Sequence, residues 1–335
     1  MIRATLISLL VLLTAACIAD RDAVVVYSSV DQVFSEPILT RFEEVSGIEV
    51  RAVYDVEAAK TTGLVTRLIA ERDNPQADVF WNGEFAQTVR LAEEGVLASY
   101  RPANAEAVPP AYRDPDGAWT GFGGRGRVLL VNTDLVADAA MPRSIHDLAD
   151  PARPGDRIGI AYPLFGTTAT HAAALYAHWG PEAARDYFAS LAESGVRVVD
   201  GNSVVRDMVV DGRLDVGLTD TDDACTAVEN GAPVRIVIPD QGRGEIGTLI
   251  IPNTVALIAG GPNPDAGKRL IDFLLSEAVA AAMIESGWSH VVLGSSETTP
   301  ACLEGVAIRG MDVPLADVVA HMEAARTDMT EIFVR

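Results

Sequence analysis

From Val24 onward, short apolar runs alternate with segments whose apolar residues recur every three or four positions. The short runs fit strands, and a recurrence near 3.6 residues fits a helix with one buried face. Val24 to Tyr27 reads as the first strand. Phe34, Ile38, Phe42 and Val45 then predict a helix, which Gly47 stops. Ile48 to Tyr54 follows as a strand, and Leu64, Val65, Leu68 and Ile69 make a stripe on a helix over 61–72 that Asn74-Pro75 ends. Asp78 to Trp81 is the next strand, and a helix over 85–94 ends at Gly95.

Residues 101–126 are rich in proline and glycine, yet Trp119 and Phe122 lie among them and need burial, so the stretch reads as a crossing between lobes. A second series has strands near 127–132, 157–161, 196–199, 215–219 and 234–238, with helices near 144–149, 168–179, 181–193, 203–211 and 223–230. Two strands around Pro252-Asn253 suggest a return crossing, and helices fill 264–286 and 314–333. Alternating strands and helices predict an α/β fold, each lobe a mostly parallel sheet covered by helices. The implied division is 23–121 for lobe 1, 122–252 for lobe 2, 253–303 for a return to lobe 1, and 304–335 for a helix packing on lobe 2. Segments near 121–127 and 249–254 would form the hinge, where small residues and proline concentrate.

Charge and the amino terminus narrow the setting. The chain of 335 residues has 49% apolar and 22% charged residues and a net charge of -21, which excludes a nucleic-acid partner that would seek a basic face. The only lysines are Lys60 and Lys268. Arg3 precedes an apolar run from Ala4 to Leu13, too short to span a bilayer and suited to a secretory signal over residues 1–16. The run ends in Leu13-Thr14-Ala15-Ala16-Cys17, which resembles a bacterial lipobox and implies lipidation of Cys17, with 17–22 as anchor and linker. Removing residues 1–16 takes away one arginine and no acid, leaving -22. Cys225 and Cys302 remain, in a compartment where a disulfide is allowed, although spacing does not say whether they meet. There is no Cys-x-x-Cys or His-x-x-x-His pair, and His171 and His178, seven apart on one helix, read as packing or surface residues.

The opening VVVYSSVDQVFSEPILTRFEEVSGIEV, the strand end ADVFWNGE, the crossing GGRGRVLLVNT, the turn DRIGIAYPLFGTT and the segment GTLIIPNTVALIAGGPNPDAGKRLIDFLLS resemble, together and in order, periplasmic ferric-iron-binding proteins of ABC importers. The resemblance implies the two-lobed type II periplasmic-binding-protein fold with the ligand between the lobes. It also implies an extracytoplasmic lipoprotein that captures a small solute and presents it to the permease subunits, as a monomer, with no resident cofactor and no contact with the membrane beyond its lipid. Iron-binding members hold ferric ion with a tyrosine pair, often helped by a histidine and a glutamate, and close the shell with a synergistic anion. Here the tyrosine positions carry Asp222 and Asp223, the histidine position carries Asp31, and the glutamate position falls on Gly83 with Asn82 before it and Glu84 after it. On the anion side Thr167, Thr168 and Asn202 stand at corresponding places.

The residues themselves point to a cleft. Ser28-Ser29, Thr61-Thr62 and Thr167-Thr168 lie at strand-to-helix turns, where hydroxyls beside free backbone N–H groups can bind an anion or simply cap the helix. Asp220, Asp222 and Asp223 crowd three carboxylates into four residues, so a cation, an amine or a hydrogen-bond network should compensate them. Arg125 and Arg127 flank Gly126, and either could hold a ligand carboxylate or phosphate, or bridge the lobes. The solute is then ferric ion with an anion, or a small organic zwitterion, phosphonate or carboxylate. A rival reading makes Asp220-x-Asp222 the DxD of an exported magnesium-dependent phosphatase, though that fold places DxD on its first strand with a lysine downstream, and here only Lys268 follows. No Gly-x-Ser-x-Gly elbow and no Walker lysine is present, so serine-hydrolase and nucleotide-hydrolysis chemistry are excluded.

Overall fold

The computed structural model describes residues 23–55, 62–294 and 298–334. Cys17 and Thr61 lie outside them, and α2 begins at Thr62. In chain order the strands are β1 (Ala23–Ser28), β2 (Glu49–Tyr54), β3 (Val79–Asn82), β4 (Leu97–Ala98), β5 (Thr120–Asn132), β6 (Ile158–Ala161), β7 (Arg197–Val199), β8 (Val216–Asp220), β9 (Val234–Val237) and β10 (Ile250–Ile258). The helices are α1 (Gln32–Ser46), α2 (Thr62–Ala70), α3 (Ala86–Glu93), α4 (Gly166–Trp179), α5 (Pro181–Ser194), α6 (Asn202–Val210), α7 (Thr221–Glu229), α8 (Pro264–Leu274), α9 (Glu277–Glu285) and α10 (Leu315–Phe333).

The strands run β2-β1-β3-β10-β5-β8-β6-β7, with β4 added to β10 and β9 to β5. β5 joins the two lobes: residues up to Gly126 pair with β10, and residues from Arg127 pair with β8 and β9. Both sheets are mixed. β1, β2 and β3 are parallel in lobe 1, and β6, β7 and β8 are parallel in lobe 2, but β5 and β10 run antiparallel to their neighbours. The fold is therefore the expected α/β binding-protein architecture, with antiparallel strands at the junction where mostly parallel sheets were expected.

Two local departures have physical causes. The segment around Pro252-Asn253 is one strand with a register shift, because proline has no N–H for the ladder and the irregularity absorbs the missing bond. β5 passes close to its neighbours there: a Cβ on Gly124 would lie 2.5 Å from the Ile251 carbonyl oxygen, so only glycine allows the approach. The helical stretch expected over 264–286 is two helices that divide at Leu275 and Ser276, where the Ser276 hydroxyl accepts from the Val279 N–H and starts α9. In α1 the buried stripe is Ser35, Ile38, Leu39 and Phe42, leaving Val45 exposed.

Helices cover both faces. Val24, Val26, Val79 and Trp81 pack with Phe42, Leu270 and Ile271 in lobe 1, while Ile158, Ile160 and Leu218 pack with Leu175, Tyr176 and Leu191 in lobe 2. α10 lies against α4 and α5. Cys225 of α7 forms a disulfide with Cys302, tying α7 to the chain that returns after α9. No described helix is long and apolar enough to cross a membrane.

Candidate functional site

A cleft of about 920 Å³ opens beyond the carboxyl ends of β1, β3 and β8 and is lined from both lobes. Lobe 1 contributes Ser29, Asp31, Phe34, Gly83 and Glu84, and α7 contributes Asp222, Asp223, Thr226 and Glu229. Arg125 on β5 sits between them, and the turn after α9 adds Trp288 and His290. The position follows from chain direction, since parallel strands deliver their turns to one end of the sheet.

Several lining groups are held by short-range bonds. The Ser29 hydroxyl donates to Asn82 Oδ1 and accepts from the Gly83 N–H. Asn82, fully buried, donates from Nδ2 to Glu84 Oε1 and Thr88 Oγ1. The Glu84 carboxylate accepts from the Ala86 and Gln87 N–H groups at the start of α3. Burial raises its pKa, and those bonds, Asn82 and Arg125 oppose the rise. Ser28 is buried and accepts from the Val30 N–H, within the wall and out of the cleft lining. Asp31 stands at the amino end of α1 and faces the cleft.

The acidic turn divides into two parts. Asp222 and Asp223 line the cleft. Asp223 accepts from Arg206 at 3.0 Å, yet its pKa is pushed up to about 6, first by burial and then by the neighbouring Asp222 charge. Asp222 Oδ2 lies 3.8 Å from Arg125, while its buried Oδ1 has no hydrogen-bond partner. Asp220, only 3% exposed, turns the other way. It accepts from Arg127 at 2.7 Å, Thr167 at 2.7 Å and Asn202 at 2.9 Å. Thr168 accepts from the same arginine. Thr167, Thr168, Asn202 and Asp220 thus meet one another around fully buried Arg127, outside the cleft lining. An aspartate locked in this way cannot attack a phosphoryl group, which disposes of the phosphatase reading of Asp220-x-Asp222. His171 lies beside this group and is held neutral, its pKa pulled down to about 3 by burial and by the Arg127 charge.

Sequence reasoning missed His290 and Trp288. His290 is 6% exposed, lines the cleft, and its Nδ1 has no hydrogen-bond partner. Burial lowers its pKa, against the pull of Asp222 and Glu229, so the imidazole offers a lone pair at neutral pH. Trp288 packs on Phe34 with centroids 5.0 Å apart, sends its Nε1–H to Asn253 at 2.7 Å, and faces the Arg125 guanidinium 5.7 Å away. Both residues follow the helix stop at Gly287, and polar or aromatic residues just past a helix end were the only available signal. Of the two arginines that could have held a ligand or bridged the lobes, Arg125 lines the cleft and Arg127 is buried against Asp220.

Polar strand ends beside an open cleft between two β/α lobes are the architecture of a binding protein of the periplasmic type. The chain belongs to the family of bacterial extracellular solute-binding proteins, whose family model matches residues 74–295. Members of this family are binding components of ABC importers, not enzymes, and work with a permease partner. The chain is 28% identical over 277 residues to a putative 2-aminoethylphosphonate-binding periplasmic protein of Salmonella typhimurium, covering 79% of this chain and 78% of that one. It is 26% identical over 285 residues to iron uptake protein A1 of Synechocystis, covering 82% and 77%. In fold it is similar to the ferric iron-binding protein A of Mannheimia haemolytica in an open conformation, with a TM-score of 0.81 and 21% identity over 93% of this chain and 98% of that one.

Proposed function

We propose that this binding protein captures a small solute bearing a positive charge and delivers it to its permease, held at the outer face of the membrane by lipid on Cys17 and working as a monomer. The observation that carries the reading is a pair of buried polar atoms without partners on one cleft: Asp222 Oδ1, an acceptor, and His290 Nδ1, which accepts in the tautomer with its proton on Nε2. Buried polar atoms are normally satisfied, and a cationic ligand would satisfy both at once. The surrounding charge agrees, because Asp31, Glu84, Asp222, Asp223, Glu229 and Glu285 line the cleft against Arg125 alone among the described arginines and lysines.

A zwitterion fits this arrangement well. Its ammonium would donate to Asp222 and His290, and its acid would take the half-buried fork of Arg125. The Salmonella relative, named for a solute with an amine and a phosphonate, supports this class. Ferric ion with a synergistic anion is the second reading, favoured by the imidazole lone pair of His290 and by the names of the iron-uptake relatives. No tyrosine stands among the described residues that line the cleft, so a metal there would rest on carboxylates and imidazole.

Native mass spectrometry of protein purified without refolding, together with metal analysis, decides between them. An added organic mass with an amine supports the first reading, and stoichiometric metal supports the second. A bound solute with no positive group, such as a sugar phosphate or a dicarboxylate, would overturn both.

A further inference from the structure

The Asp220 carboxylate occupies a place built like an oxyanion site. Both of its oxygens are bonded: Oδ1 accepts from Arg127 Nη1 at 2.7 Å, and Oδ2 accepts from the Thr167 hydroxyl at 2.7 Å and Asn202 Nδ2 at 2.9 Å. Arg127 also donates to the side-chain oxygens of Thr167 and Asn202, each at 3.0 Å, and to Thr168 at 3.2 Å, which locks the donors around the acid. Arg127 is 0% exposed, so its charge requires an anion in place.

Two helix starts converge on the same point. Thr167 and Thr168 belong to the first turn of α4, and Asn202 begins α6. Neither helix has an acidic residue in its first turn, and neither has a side-chain cap of its own. Their partial positive charges add to that of the guanidinium. Asp220 itself stands at the N-cap of α7, an ideal place from which to cap, yet its side chain makes no capping bond there. The carboxylate is turned away from its own helix into the cradle formed by the others.

We infer that Asp220 is an internal anion that permanently fills an oxyanion-binding cradle made by Arg127, Thr167, Thr168 and Asn202. The protein therefore captures its solute without an accompanying free anion at this place, and any acidic group on the solute is left to Arg125. This inference concerns the cradle alone and stands whether the solute is an amine or a metal.

The test is to empty the cradle with Asp220→Ala and offer small anions. Thermal melts are compared in sodium acetate, formate, inorganic phosphate and chloride at matched pH and ionic strength. The wild type is expected to melt alike in all four. The variant is expected to melt lower in chloride and to recover saturably with acetate, formate or phosphate, whose association constant exceeds that for the wild type by at least about tenfold. Adding Thr167→Val to the variant should remove most of that gain, which places the anion in the cradle. If the variant does not fold in chloride, refolding in acetate is the readout, with recovery expected there and none in chloride. Equal behaviour in acetate and chloride, failure to recover with any anion, or equally tight anion binding by the wild type would each overturn the inference. Failure here would leave the ligand-mass experiment unaffected, so the two readings fall separately.

Discussion

Asp223 offers a measurement in which stability and binding should move in opposite directions. Its pKa is raised from 3.8 to about 6 by burial and by Asp222, although Arg206 lies 3.0 Å away and pulls it down. At about 1.4 kcal/mol for each pH unit, keeping this carboxylate ionised in the empty protein costs about 3 kcal/mol at pH 8. The side chain is 16% exposed, so solvent screens little of that cost. Asp223→Asn keeps the shape and an acceptor for Arg206 while removing the charge. The ligand-free variant should be more stable than the wild type at pH 8 by about 1 to 3 kcal/mol, the lower end allowing for the weakened ion pair. The sign follows from proton binding: between about pH 4 and 6 the native carboxyl holds its proton more tightly than the unfolded one, so the wild type loses stability as pH rises through that window. At pH 4 the two proteins should agree within about 0.5 kcal/mol. Urea titrations at pH 4, 5, 6 and 8 measure the difference directly. A variant less stable than the wild type at pH 8, or a gap of equal size at pH 4 and pH 8, would refute the reasoning. The same variant should bind the cationic solute more weakly, and wild-type affinity should fall below pH 6 as the proton competes.

Asp222→Asn removes the charge while keeping an oxygen acceptor, and His290→Ala removes the imidazole; each should weaken binding about thirtyfold, or about 2 kcal/mol, by calorimetry on folded protein, and unchanged affinity in both would remove the cation from this corner of the cleft. Arg127→Met strands the Asp220 charge and should destabilise the protein by about 3 to 5 kcal/mol in urea unfolding at neutral pH. Reducing the Cys225–Cys302 disulfide frees a closed stretch of 77 residues and should lower stability by about 2 to 4 kcal/mol, read by denaturation with and without a reductant that leaves a Cys225→Ser/Cys302→Ser variant unaffected. Globomycin should cause the precursor to accumulate if Cys17 is lipidated, and unchanged processing would remove the anchor.

The order of elements was legible because apolar spacing reports directly which faces are buried. The stripe Leu64, Val65, Leu68 lies buried on α2, and the apolar run before Asp220 is β8. Less legible was the strand direction at the lobe junction, since an apolar run has the same pattern in parallel and antiparallel ladders. The site was legible in part. Turns at strand ends could be named from sequence, but which way a side chain leaves its turn could not, and Asp220 and Asp222 look alike on paper while one feeds Arg127 and the other faces the cleft. His290 could not have been found by spacing, because it comes near the Asp222 charge only by the return of the chain past α9.

The placement of β10 has a consequence for the order in which the molecule can be built. Lobe 2 takes β5 to β9 from one unbroken stretch of chain, and its pairings need nothing that comes later. Lobe 1 has β10 at its centre, between β3 and β5, so its sheet cannot close until residue 258 is available. A chain threaded across a membrane amino terminus first would present β1, β2 and β3 early, with the edge of Val79–Asn82 bare and apolar until more than 160 further residues had followed. The earliest-emerging sheet is therefore the later of the two to close, with the already paired β5 as the template for β10, and α10 then completes the packing of lobe 2.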